Sequence, residues 1–112
     1  SKWVEGLQKI VTEMRIYPLQ TNSKKCAFGH FYHAIRIDHP EIATDWGKID
    51  SIHNQFHLKG DEVINAVKAE DQAEARRIYE EAVGLSVQIL EILDTVEHKV
   101  KDLTQRGIRI FS

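Results

Sequence analysis

His53 and His57 stand four residues apart, so on a helix their imidazoles lie on one face. Both fall on an apolar seam with Trp46, Ile49, Phe56, Gly60, Ile64 and Val67, where a helical bundle usually places leucine or isoleucine. A buried ring nitrogen without a partner costs about 1–3 kcal/mol. An inward pair therefore needs either hydrogen-bond acceptors, as satisfied core histidines have, or a metal. Cys26 supplies a third donor of the right kind. It lies near the expected start of a helix, where a metal-binding thiolate would meet free amides and the positive end of the helix dipole. Read alone, Cys26 is a small buried hydrophobe. Together with the histidine pair it gives three of the four ligands that tetrahedral zinc takes, one sulfur and two nitrogens, with one place open.

Other metal chemistries fail on spacing. A zinc protease needs glutamate directly after the first histidine of such a pair, and here that residue is Asn54. Di-iron bundles need Glu-x-x-His repeats and several inward carboxylates. Asp50-Ser51-Ile52-His53 imitates that pattern only once. Among the remaining histidines, His30 follows Cys26 by four residues and could close a site. His33, His39 and His98 have no partner at useful spacing and are expected at the surface or between helices.

These donors must be held by helices. Trp3, Leu7, Ile10 and Met14 form a stripe on a first helix that ends before Pro18. Gln20-Thr21-Asn22-Ser23 offers a cap for a short second helix from about Lys24 to Ile37. Pro40 suits the first turn of a third helix, which carries the histidine seam as far as Lys68–Glu70. Asp71 and Glu74 have capping-box spacing. After them Ala75, Ile78, Ala82, Leu85, Ile89, Ile92, Val96, Val100 and Leu103 keep a three-and-four step up to a stop at Gly107. The pattern predicts an all-α protein, an antiparallel four-helix bundle with one short helix. Residues 1–107 would form the bundle and 108–112 a short tail.

Composition agrees and narrows the function. The 112 residues are 42% apolar, enough for one core. Fifteen basic and 17 acidic residues give a net charge of −2, which provides no field for nucleic acid. No apolar run is long enough to insert in a membrane. A single cysteine cannot form an internal disulfide.

Cys26-Ala27-Phe28-Gly29-His30-Phe31 has the form C-x-φ-G-x-aromatic, and 21 residues separate Phe31 from the His53-x-x-x-His57 pair. With Trp3 upstream, this arrangement resembles the chemoreceptor zinc-binding domain of bacterial chemotaxis receptors and some diguanylate cyclases. The resemblance runs from Trp3 to about the end of the fourth helix. It implies a four-helix bundle with one zinc held by three histidines and one cysteine, Cys26, His53 and His57 among them. The family's first histidine lies in an H-x-x-W pattern, and Trp3 would place it immediately before Ser1. Within the chain itself the fourth place stays open to His30, Asp50 or an exogenous ligand such as water. The resemblance further implies a cytoplasmic, non-enzymatic sensor joined to an output domain, expected as a homodimer, with oxidation of Cys26 as a second input. The competing expectation is a metal-free helical module that dimerises through the fourth helix.

Overall fold

The computed structural model describes residues 1–110, and Phe111 and Ser112 of the expected tail lie outside the described residues. Four α-helices and one 3-10 turn follow in order: α1 (Lys2–Glu13), the turn Ser23–Lys25, α2 (Ala27–Ala34), α3 (Pro40–Lys68) and α4 (Gln72–Gln105). There is no β-strand among the described residues. The all-α bundle read from the sequence is the observed architecture.

Its frame is the antiparallel hairpin of α3 and α4, 29 and 34 residues long, which gives the molecule a 55 Å long axis. Local chemistry sets each end of these helices. Pro40 opens α3 behind His39, whose Nδ1 accepts the Glu41 amide at 3.2 Å. Asp71 caps α4 by accepting the Glu74 amide at 3.0 Å. Gly107, at φ 74°, closes α4. There the Gly107 amide donates to the Thr104 carbonyl and the Ile108 amide to the Leu103 carbonyl, the paired bonds of a left-handed helix stop.

The α4 stripe packs as its spacing predicts: Ala75, Ile78, Ala82, Ile89, Val96 and Leu103 are buried. On α3 the observed seam departs from the expected one by one residue after Gly60. Val63 is completely buried while Ile64 lies on the flank, because Ile49, His53, Phe56, Gly60, Val63 and Val67 alternate steps of four and three without a break.

The shorter helices lie against this frame at different levels. Trp3 at the start of α1 meets Phe56 and His57. Near its end, the Val11 carbonyl accepts from Gln72 Nε2 at 3.2 Å. Thus α1 runs beside the second half of α3. The other helix, α2, runs against the first half in the opposite sense: Phe28 stacks edge-on to His53, and Tyr32 Oη donates to the Trp46 carbonyl at 2.7 Å.

The expected second helix, Lys24–Ile37, is shorter than its pattern suggested. Ser23–Lys25 forms a separate 3-10 turn, and Ile35 is already extended at φ −89°, ψ 133°. The alternation Ile35-Arg36-Ile37 favours extended backbone, which carries Ile37 into the lower core with Ile42, Val96, Leu103 and Ile110. The chain beyond α4 also folds back, so that Ile110 is buried there.

Candidate metal centre

Cys26 is the N-cap of α2. Its Sγ lies 3.3 Å from the Gly29 amide, which donates to it, and 3.2 Å from the Ser23 carbonyl. This geometry depends on Gly29. A Cβ at that position would sit 2.0 Å from the Ser23 carbonyl oxygen, so only glycine lets the 3-10 turn fold tightly onto the first turn of α2. Ser23 is itself buried, and its hydroxyl bonds to Asn54 Oδ1. The turn is thereby fastened to α3 between the two histidines of the seam.

His53 and His57 are 7% and 3% exposed. The Cys26 Sγ lies 3.3 Å from His53 Nε2, which lies 3.1 Å from His57 Nε2. All three donor atoms fall within 4.8 Å of one another. In a tetrahedral zinc site with bonds of about 2.05 Å to nitrogen and 2.3 Å to sulfur, ligand atoms sit about 3.4 Å (N to N) and 3.6 Å (S to N) apart. The two short separations fall about 0.3 Å inside such edges.

Protonation favours the same conclusion. The Gln20 carbonyl lies 2.8 Å from His57 Nδ1. A carbonyl only accepts, so Nδ1 carries the hydrogen, and the neutral ring presents its lone pair at Nε2. Burial lowers the pKa of His57. It lowers that of His53 to about 4, with the neighbouring His57 adding to the effect. Both rings are therefore neutral at pH 7, the form that binds metal. Two Nε2 atoms 3.1 Å apart need either a shared proton or a cation between their lone pairs. A soft sulfur beside two neutral imidazoles suits zinc better than calcium or magnesium, which take oxygen ligands.

The other histidines are placed elsewhere. His30 is exposed and Asp50 pairs with His33 Nε2 at 3.3 Å, so neither joins the cluster. His39 caps α3, and His98 Nδ1 donates to the Asp94 carbonyl at 2.8 Å on the surface of α4. Sequence reasoning missed the two backbone groups that shape the site, the Gln20 carbonyl and the Gly29 amide. Main-chain groups carry no residue-type signal, although the glycine at position 29 was a visible hint.

Comparison with known proteins gives one family. The chemoreceptor zinc-binding domain matches residues 1–64, more than half of the chain, and the chain belongs to that family. Zinc is accordingly its metal. No curated protein and no solved structure matches.

Proposed function

For this member of the chemoreceptor zinc-binding domain family, we propose that Cys26 Sγ, His53 Nε2 and His57 Nε2 hold the zinc. The chain would then serve as the regulatory sensor of a bacterial signal-transduction protein, a chemoreceptor or a diguanylate cyclase. The observation that carries the assignment is the convergence of one sulfur and two nitrogens from two helices within 4.8 Å. The fourth ligand comes from outside this triad.

Bound there, zinc supplies a cross-link between the start of α2 and the middle of α3. The chain's own residues make that link informative. The helix α2 buries only Gly29, so Cys26 is a major part of what fixes its start. His53 and His57 sit on the rigid seam of α3 and serve as the fixed side of the site. Loss of the Cys26 bond therefore frees α2 from α3, and the long hairpin offers a path to an output domain in the same parent chain.

Cys26 is half-buried whereas both histidines are buried. This asymmetry supports a second input at the same residue. A peroxide-class oxidant would convert the thiolate to a sulfenate and remove the sulfur ligand, the oxidant being reduced by two electrons. In this reading residues 1–107 are the zinc-binding unit, cytoplasmic and homodimeric. Exposed Val87 and Leu90 on α4 are the apolar positions available to a second copy.

Metal analysis tests the assignment. The purified chain is expected to carry one zinc, and Cys26→Ala and His53→Ala each to lower zinc affinity by at least a hundredfold. Protein without stoichiometric zinc, whose helicity and melting are indifferent to both substitutions, would support a metal-free helical dimerisation module instead.

A further inference from the structure

The Gln20 carbonyl that orients His57 receives a second donor. Trp3 Nε1 lies 2.7 Å from the same oxygen, so both of its lone pairs are used. Gln20 sits in the connection between α1 and the 3-10 turn, outside any helix, and regular backbone bonding does not fix its carbonyl direction. The indole fixes it instead. The Trp3 ring also stands edge-on to His57, at 5.0 Å and 67°, and packs on Phe56 at 4.4 Å between centroids.

The residues on either side of Gln20 dock at one point of α3. A Cβ added to Gly60 would lie 3.0 Å from Leu19 Cδ2, 3.0 Å from Thr21 Cγ2 and 3.1 Å from Trp3 Cζ2. Gly60 follows His57 by three residues, almost one helical turn. The missing side chain at position 60 is therefore the notch that seats Leu19, Thr21 and the indole together. That seating brings the intervening carbonyl to His57.

We propose that Trp3 and Gly60 are positioning residues of the zinc site, which hold the Gln20 carbonyl on His57 Nδ1 and so fix the tautomer that presents His57 Nε2 to the metal. The proposal rests on the zinc assignment above, and one of its readouts requires no metal. Partners that orient a metal-ligating histidine typically account for 10- to 100-fold in affinity.

The test uses the full chain with Trp3→Phe, which keeps a ring but removes the donor, and Gly60→Ala. Zinc affinity is measured by competition with a chromophoric chelator. The His57 tautomer of the zinc-free proteins is read by long-range proton–nitrogen NMR. The expected results are a 10- to 100-fold rise in Kd for each variant, and loss of the pure Nδ1–H tautomer in Trp3→Phe. If Trp3→Phe does not fold, Gly60→Ala decides, because alanine favours the helix and a loss of affinity there is not a loss of helix. Affinities within twofold of the parent overturn the proposal. A weakened Kd with an unchanged His57 tautomer also overturns it, since Trp3 would then act by packing alone. Failure of the parent chain to bind zinc would refute the metal assignment, while the zinc-free tautomers would still decide the role of Trp3.

Discussion

The α3–α4 hairpin and the segment from Pro18 to Ala34 are held by different forces. The hairpin buries a continuous apolar stripe and is pinned by cross-helix pairs such as Lys99 with Asp45, 2.5 Å apart. In the segment, only Ser23 and Gly29 are buried. Beside partial packing of Leu19, Phe28 and Tyr32 on the core, it relies on directional contacts: Tyr32 to the Trp46 carbonyl, His33 to Asp50, Ser23 to Asn54, and ring edges against His53. Apolar burial is non-directional and tolerant of small shifts. Hydrogen bonds and metal bonds depend steeply on geometry. A domain built this way pairs an apolar frame with a less buried segment, and a metal held by Cys26, His53 and His57, as proposed, would join one to the other.

Zinc removal is expected to separate the two regions most strongly. At free zinc a thousandfold above Kd the bound metal contributes about 4 kcal/mol. Hydrogen exchange after chelation should show amide protection falling across residues 20–34, with little change in the middle of α4. Uniform loss over the whole chain would erase the distinction. The chelated protein also has a defined pH response. His53 has a pKa of about 4 in the folded protein, against an ordinary value of 6.5. Below pH 6.5 the unfolded chain binds the extra proton, so stability falls as pH drops from 6.5 toward 4. Thermal melting of zinc-free protein across that range checks the sign.

Leu103→Ala is expected to have the next largest effect and the opposite distribution. Leu103 is 1% exposed in the lower core, among Ile42, Val96 and Ile110. Its truncation should cost about 3 kcal/mol of global stability, read by denaturant unfolding, with zinc affinity unchanged. Tyr32→Phe should have the smallest effect. It removes one hydrogen bond, worth about 1 kcal/mol, and should raise exchange in α2 while leaving the hairpin as it was.

The same contrast explains what was legible in the sequence. Regions held by apolar burial print a periodic pattern. The α4 stripe, the Asp71–Glu74 cap and the Gly107 stop could be placed within a residue or two. The cluster of Cys26, His53 and His57, the candidate metal site, was legible for a different reason, since the side chains that ligate zinc are few and their helical spacing is restrictive. The segment between α1 and α3 was less legible. Its 3-10 turn is made of Ser23, Lys24 and Lys25, which have no apolar period, and the alternation at Ile35–Ile37 is too short to mark the end of a helix by itself. The carbonyl of Gln20, which decides how His57 is presented, left no trace in residue types. Only the folded contacts reveal it, Trp3 and His57 on that oxygen and Leu19 and Thr21 against Gly60.

The zinc ligands can be read by X-ray absorption at the zinc edge of the purified chain. The spectrum is expected to show one sulfur at about 2.3 Å and at least two imidazole nitrogens at about 2.0–2.1 Å from the metal, with the sulfur lost in Cys26→Ala. A zinc shell of nitrogen and oxygen alone in the parent chain would contradict the proposed ligand set.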